Sequence, residues 1–189
     1  MNLLLTFLFF IIPSISYSQT NEIREVSNVN HASFIMYHRF GDSRYPSTNI
    51  KKEQFIEHIN ELLKPKYNII GIEKAILAIN NIELVKDRSV VITIDDAYSS
   101  VYEYAWPIFK KYNLPFTLFI STDVIDNKTP GYMNWEQIRN LRDNGVTIGS
   151  QTKSHPHMFK LTTEKIIEEL SISNKRFIDE IGSKPKFFA

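Results

Sequence analysis

The chain has 189 residues, of which 43% are hydrophobic and 23% charged, a composition typical of a globular protein with about one domain. Its 22 basic and 21 acidic residues give a net charge of +1, which excludes the strongly basic field that nucleic acid binding requires. The absence of cysteine excludes a disulfide scaffold, a cysteine-ligated zinc site and a thiol nucleophile.

The N-terminus predicts an export signal. Residues 3–12 form an uncharged apolar run, and the small residues Ser16 and Ser18 follow it, as in the cleavage region of a secretory signal peptide. The run is too short to span a bilayer comfortably, so we expect no stable membrane span. We predict a signal peptide over residues 1–18 and a polar lead-in over 19–32. The protein would then reside in the periplasm, in the cell envelope or outside the cell.

From residue 33 onward, strand patterns and helix patterns alternate. Short β-branched or apolar runs predict strands, and apolar residues three or four positions apart predict helices. The predicted strands cover residues 33–37, 67–70, 89–94, 116–120 and 146–148, and the predicted helices cover 51–63, 72–79, 101–112, 134–145 and 162–181. Pro107 predicts a kink or a restart within the third helix. This order indicates one α/β domain with a parallel sheet or barrel.

Polar residues follow four of these strands, at the ends where parallel α/β folds place functional side chains. They are His38, Asp95 with Asp96, residues 121–123 and residues 150–157. Two adjacent carboxylates after a buried strand are costly to hold together without a cation or a shared proton. The alternative is an Asx turn or a helix N-cap. Carboxylates and imidazoles on one edge suit a divalent metal, zinc first, although loop histidines are often only solvated.

Two segments resemble the motifs of the polysaccharide deacetylases, the NodB-homology domains of carbohydrate esterase family 4. Residues 90–97, VVITIDDA, are similar to the first motif, Thr-Phe-Asp-Asp-Gly after a strand. Residues 149–157, GSQTKSHPH, are similar to the second motif, His-Thr/Ser-x-x-His-Pro. Residues 34–38, FIMYH, resemble the opening of the poly-N-acetylglucosamine deacetylase subgroup. The resemblance covers residues 33–189, and the combination is more specific than either motif alone.

This resemblance implies a distorted parallel (β/α) barrel of the NodB type. It also implies a metal-dependent hydrolase that removes acetyl groups from an N-acetylated polysaccharide. Asp95 would be the general base, and Asp96 and His155 would be metal ligands, with zinc as the metal and cobalt or nickel possible. A backbone N–H near Ala97 or Tyr98 would stabilise the oxyanion. His38 and Tyr98 would lie on the substrate rim.

Three departures from the family pattern qualify this expectation. Gln151 stands where the family has its other metal histidine, and a neutral amide is a poorer zinc ligand than imidazole. His157 is the alternative ligand. Ala97 replaces the glycine that closes the first motif. The later motifs are absent, including the histidine that protonates the leaving amine. We therefore expect this sequence to be the N-terminal part of a longer enzyme and to be inactive alone.

Two other functions stay open at this point. The Gln151 change is also compatible with a carbohydrate-binding pseudoenzyme that has lost its metal and its catalysis. The same fold can host hydrolysis of a small amide, although the predicted export argues against that substrate because such chemistry is usually intracellular.

Overall fold

The computed structural model describes residues 27–189. The predicted signal peptide and most of the predicted lead-in therefore lie outside the described residues. Over the described range, no helix has the length and apolar character needed to cross a membrane.

The predicted strands and helices are present in the predicted order over the described residues, and four further strands of two residues each were not predicted. The strands are β1 (Asn28–Val29), β2 (Ser33–Tyr37), β3 (Arg39–Phe40), β4 (Asn49–Ile50), β5 (Asn68–Ile69), β6 (Val85–Lys86), β7 (Ser89–Asp95), β8 (Thr117–Ile120) and β9 (Thr147–Ser150). The α-helices are α1 (Lys52–Leu62), α2 (Ile72–Ile79), α3 (Trp106–Lys111), α4 (Thr122–Asp126), α5 (Trp135–Asp143) and α6 (Thr163–Ile181). A π-helical segment covers Val101–Ala105, and a 3₁₀ turn covers Met158–Lys160.

Strand β7 is the centre of a five-stranded sheet. It pairs in parallel with β2, β5 and β8, and β8 pairs in parallel with β9. Every residue of β7 is buried, which explains why its sequence is a continuous β-branched run rather than an alternating one. The parallel α/β class predicted from the sequence is confirmed. Closure of this sheet into a barrel stays a prediction.

Helices cover the sheet through their apolar faces. Phe55 of α1, Phe109 of α3 and Phe177 of α6 have fully buried side chains in one cluster with residues of β7 and β8. Burying one such side chain contributes about 1.5–3 kcal/mol. This packing fixes the strands beneath, and therefore the positions at which their carboxyl ends emerge.

The predicted helix over 101–112 is divided into the π-helical segment and α3. Pro107 lies in the first turn of α3 and has no N–H, so it cannot donate the backbone hydrogen bond that a continuous α-helix would need there. The predicted restart is thus confirmed. Helix α4 was not predicted, because its five residues are too few to show an apolar period.

The predicted helix ends are confirmed at two positions. Asn134 caps α5, since its side chain accepts a hydrogen bond from the Gln137 N–H at 2.9 Å. Gly182 follows α6 with a φ of +83°, the left-handed conformation that favours glycine at a helix C-terminus. These local signals set where each helix starts or stops.

Candidate active site

The candidate site lies at the carboxyl edge of the parallel sheet. Asp95 is the last residue of β7, His38 directly follows β2, and Gln151 directly follows β9. Because these strands are parallel, their ends bring residues far apart in sequence to one edge. The His38 Nε2 atom lies 3.9 Å from the Asp95 Oδ2 atom.

The Asp95 carboxyl group is buried at the base of the site, and only 9% of the residue is exposed. Burial raises its pKa, and the negative charge of Asp96 acts in the same direction. The nearby imidazoles of His38 and His155 oppose that shift. The group is therefore a carboxylate that accepts a proton more readily than one in water, which suits a general base.

Asp96 and Ala97 form a strained turn after β7. Their φ angles are +73° and +54°, a region that costs non-glycine residues about 1–2 kcal/mol each. The Asp96 N–H donates to the Phe119 carbonyl at 3.0 Å and to Gln151 Oε1 at 3.2 Å, and the Ala97 carbonyl accepts from the Met133 N–H at 2.9 Å. These bonds hold the turn in place.

The left-handed conformation explains why the family's first motif closes on glycine, and it leads to a stability prediction. We expect Ala97→Gly to change the free energy of unfolding by less than about 1 kcal/mol, since relief of strain offsets the lost methyl group. Ala75 is the matched control, because it is equally buried but helical. Ala75→Gly should cost about 2 kcal/mol. Chemical denaturation compares the two variants, and equal losses would contradict a strained Ala97.

Tyr98 forms part of the site wall. It is buried, and one face of its ring lies 3.4 Å from the Arg39 guanidinium carbon, while the Tyr132 ring is centred 4.7 Å away. Burial raises the pKa of the Tyr98 hydroxyl, and the neighbouring Tyr132 and Asp96 add to that shift. Tyr98 is therefore a neutral phenol whose ring is already packed against Arg39 and Tyr132.

Gln151 is buried, with 2% of the residue exposed. Its side-chain oxygen accepts the hydrogen bond from the Asp96 N–H, so it is directed at the backbone of the strained turn. An amide oxygen used in this way is a weaker metal donor than the imidazole that the family has at this position.

The loop after β9 carries the two remaining candidate ligands. His155 has a φ of +55°, and its N–H donates to Thr152 Oγ1 at 3.1 Å. Its side chain is exposed, and its electrostatic effect opposes the upward shift in the pKa of Asp95. His157 is also exposed, and its ring is centred 5.8 Å from the ring of Phe159. The loop therefore presents one imidazole, that of His155, to the carboxylates.

The donors do not fit the metal set that the resemblance implies. Asp96 and His155 supply one carboxylate and one imidazole, and Gln151 supplies only an engaged amide oxygen. Across residues 27–189, no group of three histidine or acidic side chains is arranged to hold a metal ion. A catalytic zinc site normally has three protein ligands of these types.

Arg39 was not predicted as a site residue. It directly follows His38 at a strand end, and that position was the signal that could have identified it. Its guanidinium lies between the rings of Tyr45 and Tyr98, at 3.8 Å and 3.4 Å from their centroids. Pattern reasoning could not find this arrangement, because the two tyrosines come from separate loops.

Comparison with known sequences identifies relatives of this chain. The sequence model described as "Polysaccharide deacetylase" matches residues 83–189, which include both candidate motifs. The curated protein "Putative polysaccharide deacetylase YxkH" of Bacillus subtilis is 28% identical over 143 residues. That match covers 76% of this chain and 50% of YxkH, so the chain spans about half the length of this relative.

Two solved structures share the fold. The Streptococcus pyogenes deacetylase PplD, in complex with acetate, superposes with a TM-score of 0.74 at 18% identity, covering 87% of this chain and 74% of that one. IcaB from Ammonifex degensii superposes with a TM-score of 0.72 at 23% identity, covering 84% of this chain and 72% of that one. At these identities the likeness establishes the fold alone.

Proposed function

The chain belongs to the polysaccharide deacetylase family, and on that premise we propose that the protein hydrolyses acetyl groups from an N-acetylated polysaccharide. The observation that carries the proposal is the buried Asp95 carboxylate at the carboxyl edge of the sheet, 3.9 Å from the His38 imidazole. This pair stands where parallel α/β folds perform chemistry, and Asp95 lies within the segment that the family model matches.

The proposed reaction consumes water and an N-acetyl amide and yields acetate and a free amine. Asp95 accepts the proton of the attacking water as the oxygen bonds to the carbonyl carbon. The Ala97 and Tyr98 N–H groups donate no hydrogen bond within the described residues. In the proposed reaction these groups stabilise the oxyanion. The His38 imidazole lies 3.9 Å from the Asp95 carboxylate, and we place it on the substrate rim.

Metal dependence is part of the proposal, with zinc as the expected ion and cobalt or nickel as alternatives. The family resemblance supports it, and Asp96 and His155 are the two donors of the expected kinds. Because the third donor is an amide, we assign no reaction step to a metal, and we expect weak affinity for the ion.

The test is acetate release from N-acetylglucosamine oligomers by the full natural protein, with zinc, cobalt or nickel supplied separately. We expect release above the uncatalysed rate with at least one ion. Its absence with all three would overturn the proposed activity.

A non-catalytic carbohydrate-binding role is the second candidate. It is favoured by one observation, the engagement of the Gln151 amide oxygen by the Asp96 N–H at 3.2 Å. Binding of the oligomers without acetate release would support it.

We propose in addition that residues 1–18 direct export, which would place either function in the periplasm, in the cell envelope or outside the cell, where polysaccharides occur.

A further inference from the structure

A cavity adjoins the candidate active site. It has a volume of about 510 Å³ and lies between β3, the loop that follows it, the start of α1 and the segment after the Asp96–Ala97 turn. Arg39, Tyr45, Lys52, Tyr98 and Glu103 are among its lining residues. Arg39 is next to His38 in sequence, and Tyr98 follows Ala97, so the two sites share a wall.

The Arg39 guanidinium is the notable group in this wall. Only 15% of its side chain is exposed, and its Nε atom is buried without a hydrogen-bond partner in the described part of the chain. The nearest carboxylate oxygen, Oδ2 of Asp42, is 3.9 Å from Nη1, which is too far for a hydrogen bond. A largely buried cation with unused donors is costly unless an acceptor completes it.

The charged side chains around Arg39 leave its guanidinium free to bind a ligand. Asp42 is held by Arg44, which donates to its two oxygens at 2.8 Å and 2.9 Å. Lys52 and Glu103 also line the cavity, and neither forms an ion pair with another described residue. With Asp42 already paired, two cations face one carboxylate, and the cavity carries a net positive charge.

The geometry of the tyrosines argues against a neutral sugar stacked in this cavity. The guanidinium covers one face of Tyr98 and one face of Tyr45, so neither ring presents that face to a ligand. What the cavity presents is a guanidinium fork fixed between two rings. Such a fork matches the two oxygens of a carboxylate or a phosphate.

We propose that this cavity is a subsite for an anionic group of the polysaccharide, received by Arg39 beside the acetylated residue. The group is a carboxylate, as in a uronic acid, or a phosphate ester on the sugar. Its role next to the catalytic site rests on the proposed function, whereas the binding itself does not.

The experiment measures binding to the full natural protein by titration calorimetry. The probes are an oligosaccharide of alternating glucuronic acid and N-acetylglucosamine, a neutral N-acetylglucosamine oligomer of the same length, and N-acetylglucosamine 1-phosphate. We expect an anionic probe to bind at least tenfold more tightly than the neutral oligomer. The stronger of the two anionic probes identifies the carboxylate or the phosphate as the ligand.

Two substitutions of Arg39 test its role in binding the anionic group, and the neighbouring Asp42–Arg44 ion pair supplies a matched control. Arg39→Gln should remove the anionic preference, and Arg39→Lys, which keeps the charge but not the fork, should weaken it severalfold. The double variant Asp42→Asn/Arg44→Gln removes the neighbouring ion pair as a unit and leaves the net charge of the cavity unchanged, so binding should change by less than about threefold. Thermal unfolding identifies any variant that does not fold, and Arg39→Lys is the variant best suited to remain folded.

Equal binding of neutral and anionic oligomers, or an unchanged preference in both folded Arg39 variants, would overturn the subsite. An equal loss with the Asp42→Asn/Arg44→Gln double variant would also overturn it, since Arg39 would then not be the group that selects the anion. Acetate release from the neutral oligomer by the unaltered protein tests the proposed function separately. The subsite can therefore fail while the deacetylase proposal stands, and the reverse also holds.

Discussion

Replacing Asp95 by asparagine should lower the rate of acetate release from N-acetylglucosamine oligomers by about 10³-fold. The substitution keeps the size and shape of the side chain but removes the group that accepts the proton of the attacking water. Folding should be retained, because the buried carboxylate becomes a neutral amide of similar volume. Acetate release by the full natural protein and its Asp95→Asn variant provides the comparison.

Asp123 is the matched control for this substitution. It is the second residue of α4, just after the neighbouring strand β8. Its Oδ2 atom lies 3.8 Å from the Lys153 Nζ atom. Asp123→Asn should change the rate by less than about threefold, because no proton transfer is assigned to it. Circular dichroism checks whether both variants are folded. An Asp95→Asn variant with wild-type activity would remove Asp95 from the proposed reaction.

Replacing Gln151 by histidine should raise the affinity of the protein for zinc by about 100-fold. A third imidazole or carboxylate donor completes the ligand set begun by Asp96 and His155, and each ligand of a zinc site contributes several kcal/mol. The variant loses one hydrogen bond to the Asp96 N–H but leaves the bond from that N–H to the Phe119 carbonyl at 3.0 Å. Zinc affinity is measured by competition with a chromophoric chelator.

Gln151→Leu separates the gain of a ligand from the loss of the hydrogen bond. It removes the same bond to the Asp96 N–H, at a cost of about 1 kcal/mol in the free energy of unfolding, and supplies no donor. Zinc affinity should then stay at or below that of the natural protein. If Gln151→His changes neither zinc affinity nor acetate release, the lost-ligand explanation for Gln151 fails.

The Asp95→Asn prediction distinguishes the candidate functions, whereas the Gln151→His prediction tests the lost ligand under either function. A deacetylase loses its rate with Asp95→Asn and gains zinc affinity with Gln151→His. A carbohydrate-binding pseudoenzyme has no acetate release to lose, yet its metal site can still be restored at Gln151. The two readouts, one kinetic and one of binding, therefore do not depend on each other.

Much of the fold was predictable from the sequence because its signals are local. The β-branched run of β7 indicates a strand buried on both faces, and apolar spacing predicts α1 and α6. Asn134 and Gly182 mark helix ends through bonds and dihedral angles within a few residues. The placement of His38 and Asp95 at one edge followed from parallel pairing alone.

The site's finer chemistry depended on contacts between distant residues. The bond between Gln151 and the Asp96 N–H joins positions 55 residues apart, and no pattern in either segment encodes it. The same holds for Arg39, which lies between tyrosines of two different loops. The sequence by itself indicated the family, the succession of the main strands and helices along the chain, and Asp95 as the candidate base. Only the tertiary structure decided which atom the Gln151 amide meets and which donors of Arg39 stay unused, because packing between elements sets those distances.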